Sequence, residues 1–122
     1  MTILTEDLQA GAFLASEANG TRSREVGTLA AGNLKAGTVL ALNGSGNYVI
    51  VAPAASDGTE TAVAVLYAAA DASDDPVECV VLARDAEVNQ DELIWPAGIS
   101  GAQTTTAIGQ LAAAGIIARA SV

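Results

Sequence analysis

Residues 37–51 read GTVLALNGSGNYVIV, and this stretch sets the expected fold. Two runs of branched and apolar residues, 37–42 and 48–51, flank the turn residues 43–47. Asn and Gly tolerate the positive φ angles that tight turns between antiparallel strands need, so the pattern predicts a β-hairpin. Pro53 ends the second run, because proline has no N–H to give to a strand ladder.

Strand signals recur on both sides of this hairpin. Residues 26–30 and 77–84 predict strands, and the second run is apolar enough to be covered on both faces. Residues 61–70 begin with β-branched side chains, which favour a strand, but end in alanines that a helix would also tolerate. The polar residues 71–76 predict a loop, and residues 90–96 predict a helical turn or a short strand ended by proline.

The C-terminal part of the sequence predicts a helix at residues 104–114. Ile108 and Leu111 form a narrow apolar stripe with nearby alanines, and Gly115 stands where a left-handed residue ends a helix. Residues 116–122 alternate as a closing strand. The fold class is therefore expected to be mostly β with one C-terminal helix.

Composition limits what such a domain can do. Of 122 residues, 51% are hydrophobic, but 27 are alanine and only four are aromatic. The core therefore has little area to bury, and association with identical copies would stabilise the protomer. The net charge is −9, of which residues 36–122 carry −8, and this disfavours binding to nucleic acid or anionic lipid. The sequence has no secretory-signal pattern and no uncharged apolar run of about 18 residues, so we expect a soluble protein made in the cytoplasm.

Side chains that drive catalysis are scarce. The chain has no histidine, which excludes Ser–His and Cys–His nucleophiles and histidine-ligated zinc. Its one cysteine, Cys79, lies in the apolar run 77–82 and is expected to be a buried small hydrophobe. The segment 44–46 is too short for a phosphate-binding glycine loop and lacks the lysine. We therefore expect neither enzymatic activity nor a cofactor.

Two groups of acids are the remaining candidates for a chemical site. The first could offer oxygens to Ca²⁺, but its spacing is not that of an EF-hand and Pro76 interrupts it. Its members are Asp71, Asp74, Asp75 and Glu78. The second could supply a glycosidase carboxylate pair, but sugar sites usually present aromatic platforms, and only Trp95 lies nearby. Its members are Asp85, Glu87, Asp91 and Glu92. A solvated surface is the favoured interpretation of both groups, with no metal site.

The first 21 residues differ from the rest of the chain. Residues 1–21 mix scattered apolar side chains with Gly, Ala and loop residues, so we predict an arm that leaves a β-rich domain at 22–122 and orders against a partner. The alternative is an N-terminal strand in the protein's own sheet. The candidate contact residues of the arm are Thr2, Ile3, Leu4, Thr5, Leu8, Phe13 and Leu14.

Trp95 is the side chain of the domain best suited to binding. A tryptophan beside a proline, here Pro96, is either a core anchor or an interface hot spot. Because few other aromatics are available, we place these two residues at or next to a contact between subunits.

Five stretches of the chain match one known family in order and spacing. They are SREVGTL at 23–29, LKAGTVL at 34–40, DG leading to AVAVL at 57–66, VLARDAEVN running into LIWP at 81–96, and the final helix with GII at 115–117. Over residues 22–122 the chain resembles the head decoration proteins of lambda-type tailed phages.

That resemblance implies a bent-ribbon, β-clip-like fold and a tight homotrimer at the local three-fold axes of an expanded phage head. Family members hold neighbouring major capsid protein subunits together against DNA pressure, and their N-terminal arms become ordered on the capsid, often by adding a strand. The implied location is the outer surface of the virion, and the implied partners are copies of this chain and the major capsid protein. A trimeric β-rich tail, fibre or surface-adhesion module is the alternative.

Overall fold

A computed structural model describes residues 14–17 and 22–119. Its strands are β1 (Leu14–Glu17), β2 (Arg24–Leu29), β3 (Gly32–Leu34), β4 (Val39–Leu42), β5 (Tyr48–Ile50), β6 (Ala64–Leu66), β7 (Ala70–Ala72), β8 (Val77–Leu82), β9 (Ala86–Asn89) and β10 (Ile116–Arg119). A 3-10 helix occupies Gln90–Glu92, and the α-helix α1 occupies Gly101–Ala113. The expected fold class, mostly β with one C-terminal helix, is confirmed.

Five strands close into a small barrel in the order β2-β5-β4-β6-β8. The predicted hairpin is confirmed, since β4 and β5 pair antiparallel with Leu42 opposite Tyr48. The predicted strands at 26–30 and 77–84 are also confirmed, as β2 and β8, which pair along their whole length. The barrel closes where Leu29 of β2 meets Tyr48 of β5 in parallel and the N–H of Ala30 donates to the carbonyl of Tyr48 at 2.9 Å.

The hairpin turn is held by one asparagine. The side-chain oxygen of Asn43 accepts from the backbone N–H groups of Ser45 at 2.9 Å and Asn47 at 3.0 Å. Gly46 has a φ of +82°, a conformation that residues with a Cβ rarely adopt. The Asn-Gly chemistry of the turn therefore fixes the register of β4 against β5.

Both faces of the central barrel strands are buried, in two separate clusters. The inner cluster fills the barrel, and its members are Leu29, Leu40, Ala64, Leu66, Ala72, Cys79 and Val81. The outer cluster lies between the barrel wall and the sheet β1-β9-β10 with α1; its members include Val39, Val65, Leu82, Val88, Leu93, Leu111 and Ile116. Because side chains alternate along a strand, Leu40 of β4 faces the barrel interior while Val39 and Ala41 face the outer cluster.

The helix is confirmed but begins three residues before its predicted start. Ser100 and Gln103 form a capping box: the N–H of Gln103 donates to Ser100 Oγ at 3.1 Å, and the N–H of Ser100 donates to Gln103 Oε1 at 3.0 Å. Ala107 and Leu111 are its buried residues. The predicted left-handed residue after the helix is also confirmed, with Gly115 at φ +92°.

Several short elements differ from the sequence expectation. Residues 71–76 were expected to form a loop throughout, but β7 includes the first two of them and pairs with β3 in a separate two-stranded sheet. No strand was predicted for β3, β7 or β9. Residues 61–70 contain strand β6 and no helix. In the segment 90–96, the 3-10 helix is followed by a single parallel bridge between Thr38 and Ile94, so both alternatives are realised in part.

Two glycines of the C-terminal region should respond oppositely to the same substitution. A Cβ at Gly115 would lie 3.2 Å from the backbone nitrogen of Asp85 in a left-handed conformation, whereas a Cβ at Gly109 would meet nothing within 4 Å. We expect Gly115→Ala to lower the free energy of unfolding by about 1–2 kcal/mol. Gly109→Ala should raise it by about 1 kcal/mol, because alanine favours the helix. Urea unfolding of both variants tests the pair. A Gly115→Ala variant with the wild-type free energy of unfolding would contradict the predicted strain at this position.

Candidate interaction surfaces

One acid of the first candidate group, Asp71, closes its own turn. Asp71 Oδ1 accepts from both the backbone N–H and the hydroxyl of Ser73, and these bonds lower the pKa of that carboxyl. Asp57 does the same with Thr59, whose hydroxyl lies 2.6 Å from Asp57 Oδ1, and its pKa is lowered for the same reason. Asp74 is exposed. Among residues 14–17 and 22–119, no group of three or more His, Cys, Asp or Glu is arranged to hold a metal ion.

The second group of acids is divided between ion pairs and a helical turn. Asp85 lies 3.7 Å from Arg22, and Glu87 lies 2.9 Å from Arg119. The Glu87 hydrogen bond raises the pKa of Arg119. Asp91 and Glu92 lie on the 3-10 helix instead. Asp85 and Glu87 are thus engaged with different arginines, which is the arrangement of surface ion pairs.

Cys79 lies inside the barrel, as its apolar neighbours predicted. Its side chain belongs to the inner cluster, and β8 places it opposite Gly27 of β2. Burial raises the pKa of the thiol, and the charge of Glu78 adds to that effect. A buried thiol with a raised pKa supplies little thiolate, so Cys79 is a poor nucleophile.

Part of the predicted arm is a strand of the protein's own sheet. Strand β1 pairs antiparallel with β9, with Leu14 opposite Val88 and a bulge between Leu14 and Ser16. Leu14 is half-buried and packs against the outer cluster. The other predicted arm contacts, from Thr2 to Phe13, lie outside the described residues. The segment that precedes β1 therefore joins the molecule beside Val88.

Trp95 and Pro96 follow a segment that is tied to the barrel by its backbone. The N–H of Ile94 donates to the carbonyl of Gly37 at 2.8 Å, and the N–H of Val39 donates to the carbonyl of Ile94 at 3.1 Å. Trp95 is half-buried against the outer cluster, so it anchors that core from the edge. Pro96 is also half-buried and lines a shallow apolar groove of about 350 Å³. The subunit contact assigned to these two residues stays a prediction.

The most exposed large apolar side chain in the described part of the chain is Val26, with 61% of its surface accessible. It lies on β2 opposite Val80 of β8, and the two line a recess of about 360 Å³ whose other walls are Arg24 and Glu25. We call this the β2–β8 recess. Sequence reasoning missed it, although Val26 and Val80 both stood in predicted strands. What the sequence did not indicate was that the described residues leave the barrel wall exposed at Val26.

One arginine, Arg24, lines the recess, and two more, Arg84 and Arg22, lie beyond its lining residues. The Arg84 guanidinium donates to Glu25 Oε1 and to the carbonyl of Arg22. Arg24 stacks on the ring of Tyr67, 4.1 Å from its centroid. These three arginines are most of the basic side chains in a chain that has only five. The β2–β8 recess thus has an apolar floor, and the charged side chains that line it are one arginine and one glutamate.

Comparison with known proteins identifies a family for the chain. The family model described as "Bacteriophage lambda head decoration protein D" matches residues 3–116. A search of curated proteins found no match. In the described part of the chain, no helix is long and apolar enough to cross a membrane.

The buried thiol gives a direct chemical test of the barrel. At pH 8 we expect native Cys79 to react with a thiol-specific disulfide reagent roughly tenfold or more slowly than in denaturant, because folding both buries the sulfur and raises its pKa. The matched control is Cys79→Ser combined with Ser45→Cys, which moves the thiol to the exposed hairpin turn and should react at the denatured rate. Equal rates for native Cys79 and the control would place the thiol outside the core.

Proposed function

The chain belongs to the bacteriophage lambda head decoration protein D family, and from this premise we propose that it adds as a homotrimer to the local three-fold axes of the expanded head. The family assignment itself makes the chain a structural, non-enzymatic protein of the phage capsid surface. The match over residues 3–116 is the observation that carries the proposal, because it includes every barrel strand and α1. A tail or fibre role has no comparable support.

Trimer formation suits the energetics of the protomer. Alanines make up a large share of both clusters, and each alanine buries little area at about 25 cal/mol per Å². A contact with identical copies adds buried area that the single chain lacks. We propose that Trp95 and Pro96 are part of this contact or lie next to it. We also propose that the fold of this chain is a form of the β-clip.

The trimer holds neighbouring major capsid protein subunits together and so stabilises the head against internal DNA pressure. We propose that the N-terminal arm makes the contact with the capsid. Its proposed contact residues are Thr2, Ile3, Leu4, Thr5, Leu8 and Phe13. An arm that adds a strand to a capsid sheet gains affinity from main-chain hydrogen bonds and specificity from alternate side chains. Three arms on one trimer multiply the avidity without a stronger single contact.

Strand β1 supports this role by giving the arm a fixed base. Because Leu14 packs against the outer cluster, the arm segment 1–13 begins from a rigid sheet, which lowers the entropy lost on docking. Leu14 itself, half-buried in its own chain, has only part of its surface left for a capsid contact. The acidic barrel adds no attraction for DNA, so binding is directed to protein.

Removing residues 2–13 tests the arm without disturbing β1. We expect the truncated protein to keep its thermal unfolding profile and its trimeric state in solution, which for the full chain is a mass of three times 12.1 kDa. Its affinity for expanded heads should fall roughly tenfold or more. Cosedimentation with heads over a range of concentrations measures that affinity. A truncated protein that saturates heads at the same concentration as the wild type would refute the proposal that the arm makes the capsid contact.

A second experiment separates the loss of apolar contacts in the arm from the effect of added negative charge. Ile3→Asp with Leu4→Asp should weaken binding to heads, because both remove an apolar contact from the proposed strand. Gln9→Asp with Ala10→Asp adds the same charge to the same arm outside the proposed contacts and should bind nearly as the wild type. Equal loss in both pairs would mean that charge alone, and not strand addition, governs attachment.

A further inference from the structure

We propose that Asn43 is a latent site of spontaneous deamidation, which the folded hairpin turn protects, and that isoaspartate formed there would open the barrel. The inference concerns the chemical lifetime of the fold and does not depend on the proposed attachment to a capsid. It rests on three features of the turn 43–47: the Asn-Gly pair, the hydrogen bonds that hold it, and the place of the hairpin in the closed barrel.

Asn43 and Gly44 have the chemistry for an intramolecular attack. In an Asn-Gly pair the backbone nitrogen of glycine attacks the side-chain carbonyl carbon, Cγ, and the absence of a Cβ on glycine leaves that approach unhindered. A bond forms between this nitrogen and Cγ, the bond from Cγ to the amide nitrogen breaks, and ammonia leaves with the proton of the glycine nitrogen. Water then opens the cyclic imide at either carbonyl. One product is aspartate, and the other is isoaspartate, whose main chain runs through Cβ and Cγ.

Access to the reacting atoms is open. Gly44 is exposed, and a Cβ built there would meet nothing within 4 Å. Its N–H makes no hydrogen bond within the described part of the chain. Asn43 is only half-buried, so water can reach the imide. Neither crowding nor burial therefore prevents the reaction in the folded protein.

Protection comes instead from the hydrogen bonds of Asn43. Its side-chain oxygen accepts from the N–H groups of Ser45 and Asn47, at 2.9 and 3.0 Å. Its own N–H donates to the carbonyl of Asn47 at 2.9 Å, and its carbonyl accepts from the N–H of Gly46 at 3.0 Å. To close the imide ring, Cγ must approach the nitrogen of Gly44, and this rotation takes the side-chain oxygen away from its two donors. The folded turn therefore has to open before it can react.

A second pair of the same kind is guarded more completely. Asp57 Oδ1 accepts from the N–H and the hydroxyl of Thr59, and these bonds lower the pKa of Asp57, which keeps it a carboxylate. The N–H of Gly58 donates to Glu60 Oε1 at 2.8 Å, so the attacking nitrogen is engaged as well. A carboxylate resists attack by a nitrogen, whereas the neutral amide of Asn43 does not. Of these two described pairs, the one at Asn43 is therefore the reactive one.

The hairpin carries the residue that closes the barrel. Leu42 of β4 lies opposite Tyr48 of β5, and Tyr48 in turn meets Leu29 of β2. The Tyr48 ring occupies the space where a Cβ at Gly27 would lie, so β5 has little room to shift. Isoaspartate lengthens the main chain of the turn by one carbon, so β5 is no longer held in register. Aspartate keeps the main chain, and its carboxylate can accept from the same two N–H groups, so it should leave the barrel closed.

The rate of deamidation at Asn43 tests the protection. Native protein and protein unfolded in guanidinium chloride are incubated at pH 8 and digested with trypsin. The enzyme releases residues 36–84 as one peptide, which separates Asn43 from the other Asn-Gly pair, at 19–20. We expect the native protein to react roughly tenfold or more slowly, because the two hydrogen bonds of the side-chain oxygen must break first. Fragmentation in the mass spectrometer assigns the mass increase to Asn43, and equal rates would overturn the proposal.

Two alanine substitutions in the same turn should move these rates in opposite directions. Gly46→Ala forces a residue with a Cβ to a φ of +82°, which loosens the turn, so the native rate should rise while the unfolded rate stays that of the wild type. Gly44→Ala hinders the attacking nitrogen and should slow the reaction roughly tenfold in the unfolded protein. If Gly46→Ala, folded as judged by circular dichroism, reacts no faster than the native wild type, the turn is not the protection.

The two products test the link to the barrel. Wild type and Gly44→Ala are aged alike in denaturant and refolded, and the folded fraction is separated by size-exclusion chromatography. Isoaspartate at position 43 should be found in the protein that does not refold, whereas aspartate at that position should be found in the folded fraction. Gly44→Ala controls for damage elsewhere in the chain and should give a larger folded fraction. If protein with isoaspartate refolds as well as protein with aspartate, the turn does not govern closure of the barrel.

Discussion

Burial of both faces of the same short strands is the constraint on which the rest of the structure depends. Strands β4, β6 and β8 send alternate side chains into the inner and outer clusters, so the barrel wall is apolar on both sides. A wall of that kind must be covered outside as well as filled inside, and the sheet β1-β9-β10 with α1 provides the cover. Where the cover ends, among the described residues, Val26 is exposed and Val80 is only half-buried.

One junction joins the barrel to its cover. Ser23, fully buried, donates from its hydroxyl to the carbonyl of Asp85 at 2.8 Å, and its own carbonyl accepts from the N–H of Ala83 at 2.9 Å. Next to it, the N–H of Ala86 donates to the carbonyl of Gly115 at 3.2 Å, which starts β10 beside β9. Strands β2, β9 and β10 thus meet at a single point. Strand β1, which pairs with β9, is held to the barrel through the same junction.

Local patterns in the sequence were enough for the elements that depend on local chemistry. The hairpin follows from its Asn-Gly turn, β8 from a continuous apolar run, and α1 from its stripe and from Gly115. The start of α1 was missed because the capping box at Ser100 and Gln103 was overlooked. Strands β3 and β7 could not be predicted from local patterns, because each has only three residues of weak strand propensity. Each is a strand because it pairs with the other, which lies far away in the sequence.

The interaction surfaces likewise divide into features that local sequence predicts and features that depend on the topology. Cys79 was correctly placed in the core from its neighbours, and the family was recognised from ordered motifs. The β2–β8 recess was not predicted, because a valine in a strand gives no sign of whether a neighbouring sheet covers it. That depends on how far β1-β9-β10 and α1 extend over the barrel, which is a property of the topology and not of residues 26 or 80.

The central claim is that the barrel is a trimeric unit fixed to the capsid surface. Cryo-electron microscopy of expanded heads of the cognate phage, incubated with the purified protein, tests this directly. We predict three copies of the barrel at each local three-fold axis, with continuous density running from β1 into the major capsid protein. Density for single copies away from those axes, or heads that remain bare at saturating protein, would contradict it.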